Sequence, residues 1–97
     1  MKAIFISCNQ ALYEEVQQIM AQHGAHGYTA WEELMGAGAV DGEPHLGSTT
    51  WPILNSAILS IVEDEQADTL LAALKSLDQA NPQLGSRAFW WNVGGTF

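Results

Sequence analysis

The side chains best suited to chemistry lie in one glycine-rich segment, residues 36–52. His45 follows Asp41 and Glu43 there, and an imidazole beside carboxylates is a ligand set that divalent metals accept. The local sequence favours a plainer alternative, a polar loop histidine that hydrogen-bonds to the backbone. Segments of this length without regular structure are usually functional or disordered in compact domains. We therefore expect residues 36–52 to carry recognition.

Two further groups could be reactive, and both have simpler explanations. His23 and His26 are three residues apart, but Gly24 ends the predicted helix between them, so they are not predicted to share a metal. Cys8 follows a strand-like run and is predicted to be a buried structural thiol. A single cysteine cannot form an internal disulfide, which fits a reducing, cytoplasmic location.

The charge balance restricts the possible partners. The chain has 97 residues, predicted to form one domain over 1–97, and it carries a formal net charge of −8. Its three basic residues are Lys2, Lys75 and Arg87. Nucleic-acid binding needs many Lys and Arg side chains and is not expected. Binding to anionic membranes is disfavoured for the same reason, and the apolar runs are too short for membrane insertion.

The periodicity of apolar residues predicts six elements in the order βαββαβ. Strands are predicted at residues 2–8, 27–35, 56–62 and 87–93; one helix runs from an N-cap at Asn9 to Gly24, and a second from a cap at Asp64 to Asn81-Pro82. This order is that of the ferredoxin-like α+β fold, with a four-stranded antiparallel sheet and two helices on one face. Right-handed crossovers place the first and third strands in the centre of the sheet.

The predicted strands are apolar on both faces. In the first strand, Ile4 and Ile6 alternate with Phe5, and in the last strand Trp90 alternates with Phe89 and Trp91. Helices cover only one face, so the other would be an apolar surface on a monomer. We expect oligomerisation to bury this face. Three sheets can close around a threefold axis, and a dimer is the alternative.

Several short motifs together resemble those of a known family. They are Trp31-Glu32-Glu33, Gly36-x-Gly38, Gly42-Glu43-Pro44-His45-x-Gly47, Trp51-Pro52 and Asn55. With the βαββαβ order, they are similar to a compact subgroup of the P-II-like signalling proteins. The resemblance implies a homotrimer of ferredoxin-like subunits. It also implies that residues 36–52 correspond to the T-loop, which docks onto target proteins, and that adenine nucleotides bind in clefts between subunits.

The resemblance implies that Gly36, Gly38 and residues 42–47 lie at that cleft. We predict that the ligand-contacting residues are Gly36, Gly38, Gly42, Glu43, His45, Gly47 and Trp51, with Arg87 as the anion contact. Other P-II proteins hold phosphates with several Lys and Arg side chains, whereas Arg87 is the one base near the last strand here. The ligand could thus be an adenine nucleotide or a divalent metal ion, the latter held by His45 and Glu43.

The predicted function is that of a non-enzymatic, cytoplasmic regulator in nitrogen signalling. A small-molecule effector in the cleft between subunits would change the conformation of the loop, and the loop would bind or release a target protein. The alternative is a metal-handling trimer of the same fold, similar to the divalent-cation-tolerance proteins. A small hydrolase or isomerase is a third class, but no catalytic motif in the sequence supports it.

Overall fold

The computed structural model describes residues 1–38, 44, 46–47 and 53–97. Its elements are β1 (Lys2–Asn9), a 3-10 turn (Gln10–Leu12), α1 (Tyr13–Gln22), β2 (Thr29–Leu34), β3 (Asn55–Val62), α2 (Asp64–Ala80) and β4 (Ser86–Asn92). The predicted βαββαβ order is therefore confirmed, with each strand boundary within two residues of its predicted position. In the part of the chain that is described, no helix has the length and apolar character needed to cross a membrane.

The four strands form one sheet in the order β2-β3-β1-β4, and every neighbouring pair is antiparallel. The prediction that β1 and β3 are central and that β2 and β4 are edges is confirmed. β1 is a strongly apolar strand and pairs along its length on both sides: Ile4 lies opposite Ser60 of β3 and Trp90 of β4. A central strand is hydrogen-bonded on both sides and is shielded from water, so an apolar sequence such as that of β1 is expected there.

The helix starts differ slightly from the predictions. Asn9 does cap a helix, since its Oδ1 accepts from the backbone N–H of Ala11 at 2.9 Å, but the first turn is 3-10. The predicted cap of α2 at Asp64 is wrong, because the N-cap is Glu63. Gln66 Oε1 accepts from the Glu63 backbone N–H at 3.3 Å, which is the reciprocal bond of a capping box. Asp64 is instead the first helical residue, where the helix dipole favours its charge.

The core lies between the helices and one face of the sheet. It is built from alternate strand residues and the inner stripes of both helices: Ile4, Ile6, Cys8, Leu12, Val16, Met20, Ile58, Val62, Ala67, Leu70 and Leu74. Burying one large aliphatic side chain of this kind contributes about 1.5–3 kcal/mol. The packing of both helices against the same sheet face confirms that part of the predicted fold.

The other face of the sheet is apolar and uncovered in the single chain. Phe89, Trp91, Ile61 and Trp31 are 58%, 51%, 47% and 44% exposed. They are in register across the sheet, because Trp91 and Ile61 both lie opposite Ala3, while Phe89 lies opposite Phe5. This face, hereafter the open face, is the apolar second face expected from the sequence.

Candidate functional site

The strand ends that flank the segment 36–52 and the start of β4 lie at the same end of the sheet. β2 ends at Leu34, β3 begins at Asn55, β1 ends at Asn9 and β4 begins at Ser86. Because the neighbouring strands are antiparallel, these four termini share one end of the sheet. Gly36 follows edge strand β2, and Arg87 belongs to the opposite edge strand. Three strand spacings separate those edges, which is about 14 Å.

The end of β2 contains an irregularity that shapes this part of the sheet. Trp31 lies opposite Ala57 and Leu34 lies opposite Asn55, so β2 uses one residue more than β3 over the same stretch. The Glu32 carbonyl accepts from Ser56 Oγ at 2.5 Å and from Gln10 Nε2 at 3.4 Å. These bonds satisfy a carbonyl at the place where the extra residue interrupts the ladder. Simple alternation therefore does not decide which way Glu32 and Glu33 face.

Two of the predicted glycines sit where little space is available. Gly36 forms an isolated β-bridge, and a Cβ atom added there would overlap the side-chain amide of Asn55. Gly47 has φ +65°, a conformation that favours glycine, and its N–H donates to the Ile53 carbonyl at 3.3 Å. Gly38 differs, because a Cβ there would have open space around it. Gly36 and Gly47 thus both lie close to the start of β3.

Four of the predicted site residues lie outside the described residues: Gly42, Glu43, His45 and Trp51. The predicted metal pair, His45 with Glu43, is therefore a prediction that the structure does not test. Among residues 1–38, 44, 46–47 and 53–97, no three His, Cys, Asp or Glu side chains come together as a metal site would require.

Arg87, the predicted anion contact, is held at the end of the sheet by an ion pair. Its Cα lies opposite Ser7, and its Nη1 is 3.7 Å from Asp78 Oδ2 near the end of α2. The same nitrogen donates to the Ser86 carbonyl at 2.9 Å. The Arg87 side chain remains 73% exposed. An anion arriving at this end of the sheet can therefore still reach the guanidinium.

Asp78 is a residue of this region that the sequence analysis missed. Its Oδ1 accepts from Ser86 Oγ at 3.2 Å and from the Ser86 backbone N–H at 3.4 Å, while Oδ2 faces Arg87. One carboxylate thus fixes the first two residues of β4. The sequence shows only an aspartate eight residues before Ser86. Whether the two side chains contact each other depends on the conformation of the turn between them.

Cys8 is a buried structural thiol, as predicted. Its side chain is 1% exposed and lies in the core, and burial raises its pKa to about 11. Burial disfavours the thiolate because the charge would lose its hydration. At neutral pH the thiol is therefore protonated, and a protonated thiol is a poor nucleophile.

Comparisons with known proteins agree with this architecture. The family model described as nitrogen regulatory protein P-II matches residues 1–94. A solved structure of CPII, a nitrogen regulatory PII-like protein from Thiomonas intermedia K12 bound to ADP, AMP and bicarbonate, superposes with a TM-score of 0.77 at 20% identity. That match covers 95% of this chain and 84% of the other.

A second solved structure is similar to nearly the same extent. It is a PII-like signaling protein from Thermus thermophilus, with a TM-score of 0.70 and 25% identity over 95% of this chain and 85% of that one. A search of curated proteins gave no match. The family match spans nearly the whole chain. The chain belongs to the nitrogen regulatory protein P-II family.

Proposed function

We propose that this chain is a non-enzymatic, cytoplasmic P-II-like regulator that works as a trimer. It binds an adenine nucleotide in the clefts between subunits and docks a target protein through residues 36–52. The observation that carries the proposal is the open face of the sheet, which is apolar, in register and uncovered in one chain.

The open face supports self-association. Monomeric proteins rarely expose contiguous apolar patches of this kind, and aromatic residues are enriched in the buried centres of interfaces. Phe89 and Trp91 lie on β4, while Ile61 lies on β3, so the patch spans several strands of the sheet. Three such faces packed around a threefold axis would remove all of it from water. Proteins of the P-II family form trimers, which favours three copies over two.

The positions of Gly36 and Arg87 support a site that two subunits share. Within one chain they lie at the same end of the sheet but on opposite edges, and those edges are about 14 Å apart. A neighbouring subunit whose β4 approaches β2 would bring its own Arg87 beside the base of the segment 36–52. The site would then be complete only in the oligomer.

The charge of the chain supports a nucleotide with few phosphates. The similar CPII structure contains ADP, AMP and bicarbonate. In this chain of net charge −8, one exposed arginine, Arg87, is available to a ligand at the proposed site, and Asp78 partly neutralises it. A triphosphate would meet too little positive charge, since phosphate binding depends on charge-assisted hydrogen bonds. We therefore propose that AMP or ADP binds more tightly than ATP.

Ligand binding would act on the loop by population shift. Gly36 and Gly47, both within the segment, lie against the start of β3. A ligand at that place would favour one conformation of the loop, and a target protein would bind one conformation better than the other. The strength of regulation is then limited by the difference in ligand affinity between the two conformations.

Two measurements test the proposal. Light scattering after size exclusion should give three times the mass of the chain, and titration calorimetry should detect AMP or ADP. Arg87→Ala should weaken nucleotide binding at least tenfold. Lys2→Ala is the matched control, because Lys2 lies at the opposite end of the same sheet, beside Val62 and Asn92. A monomeric protein, or an equal loss in both variants, would contradict the proposal.

The metal-handling alternative is not favoured by the comparisons, which point to the P-II family. It has a direct test nevertheless. Zinc or copper binding below micromolar concentration that His45→Ala abolishes, with no nucleotide binding, would replace the proposal above.

A further inference from the structure

A cavity of about 320 Å³ opens between α2 and β4, on the face of the sheet that the helices cover. Its walls come from four elements and are mostly aliphatic. Ile6 and Val16 lie deep, Leu74 and Leu77 come from α2, and Trp90 stands on β4. This volume is at the lower end of those of small-molecule sites, which are mostly apolar with a few polar groups at the mouth.

The cavity exists because the helices do not reach across the edge strand. Trp90 lies opposite Ile4, which is fully buried, yet Trp90 itself is 56% exposed. The indole therefore stands beside the cavity with one side open to water. An aliphatic ligand entering there would cover apolar surface from both α2 and β4, and that burial would be its main source of affinity.

The polar groups at this cavity carry an excess of positive charge. Two of the three basic residues in the chain, Lys75 and Arg87, line it together with the acid Asp78. Asp78 pairs with Arg87, whereas Lys75 forms no ion pair with any residue that the structure describes. One ammonium group is thus available beside an aliphatic cavity in a chain of net charge −8.

We infer that this cavity binds an amphipathic monocarboxylate with a medium-length alkyl chain. The alkyl chain lies against Leu74, Leu77 and Trp90, and the carboxylate bonds to Lys75 with Arg87 beside it. One unpaired cation matches one negative charge, whereas a polyphosphate would need several. The cavity is on the helix side of the sheet and Lys75 is its charged contact, so the inference goes beyond the proposed nucleotide site, with which it shares Arg87.

Decanoate below its micelle concentration is a suitable probe, titrated by calorimetry into the full-length protein. Lys75→Ala should weaken decanoate binding at least fivefold, and decanol, which has the same chain without charge, should bind correspondingly less tightly. Lys2→Ala removes the third basic residue, which does not line the cavity, and should leave decanoate affinity unchanged. Ala72→Trp places a large side chain at the exposed rim of the cavity and should abolish binding without disturbing the core.

The two adjacent tryptophans locate the bound ligand. Trp90 lines the cavity, while Trp91 is in the row of the open face. Decanoate should shift tryptophan fluorescence in the wild type and in Trp91→Phe, and the shift should disappear in Trp90→Phe. The inference is overturned if decanoate does not bind, if Lys2→Ala and Lys75→Ala lose affinity equally, or if the shift depends on Trp91. The nucleotide proposal is tested by nucleotide binding to Arg87→Ala, and this inference by decanoate binding to Lys75→Ala. Either proposal can therefore fail without the other.

Discussion

Gly36 lies against Asn55, so that a residue just after β2 and the first residue of β3 meet at the base of the segment 36–52. A Cβ atom added at Gly36 would lie 3.0 Å from Asn55 Cγ and closer still to its amide nitrogen. Position 36 therefore requires glycine because the Asn55 side chain leaves no room for a Cβ atom. The contact joins the start of the proposed docking loop to the start of β3, at the place where we propose that a ligand binds.

Gly36→Ala should lower the free energy of unfolding by about 1 kcal/mol, because the Asn55 side chain has to move. It should also weaken nucleotide binding, since the base of the loop would be displaced. Urea denaturation and calorimetry measure the two effects. Gly38→Ala is the matched control, because a Cβ there meets nothing within 4 Å. Equal losses of stability at both positions would show that the contact with Asn55 does not set the cost, since the entropy effect of Gly→Ala is itself stabilising.

Ile61→Lys should dissociate the oligomer. Ile61 is 47% exposed in one chain, so a lysine there is tolerated by the monomer but would place a charge inside the packed open faces. We expect the association constant to fall by at least about 30-fold, the effect of losing roughly 2 kcal/mol at a central interface residue. Analytical ultracentrifugation measures it. Thr69→Lys is the control: Thr69 lies on the exposed side of α2, so this variant should leave the association constant unchanged.

Asp78 offers a test of what holds the start of β4. Asp78→Asn keeps an oxygen that can accept from Ser86 but removes the ion pair with Arg87. It should cost no more than about 0.5 kcal/mol, because Arg87 is exposed and water screens the pair. Asp78→Ala also removes the acceptor and should cost about 1 kcal/mol more. Thermal unfolding compares them. Equal losses would mean that the ion pair, and not the hydrogen bonds, fixes the strand.

The thiol of Cys8 predicts how stability depends on alkaline pH. Burial raises its pKa from 9.0 to about 11, so between these values the folded chain keeps a proton that the unfolded chain has lost. Stability is therefore unaffected below pH 9 and falls between about pH 9 and 11, by up to about 3 kcal/mol. Urea denaturation of wild type and Cys8→Ala isolates this contribution from that of the tyrosines. A stability difference between the two that stays constant over this range would contradict the assignment.

The sequence predicted all four strands and both helices, because each has a clear apolar period and an end signal. Gly24 and Asn81-Pro82 end the helices where expected. The errors are local. Glu63 rather than Asp64 caps α2, since two adjacent acids can both begin a helix and the reciprocal bond with Gln66 selects between them. The extra residue in β2 was not predicted, because the strand is too short and polar for a bulge to change its apolar pattern recognisably.

The candidate site was predicted less completely than the fold. Motif resemblance picked out Gly36 and Gly47, and Arg87 was chosen as the one base near the last strand. The structure places all three at one end of the sheet. Gly42, Glu43, His45 and Trp51 fall outside the described residues, so their predicted roles stay predictions. The partnership of Asp78 with Ser86 and Arg87 was not predictable, because it depends on how the turn after α2 returns the chain to the sheet.

The sequence by itself determined the order of elements, the family and an apolar second face, because these follow from the spacing of apolar residues and from local motifs. Only the tertiary structure decided which side chains meet across the fold. It sets Gly36 against Asn55, places Arg87 on the edge opposite Gly36, and leaves a cavity where the helices stop short of β4. These are long-range relationships, fixed by strand register and by helix packing, and periodicity along the chain carries no information about either.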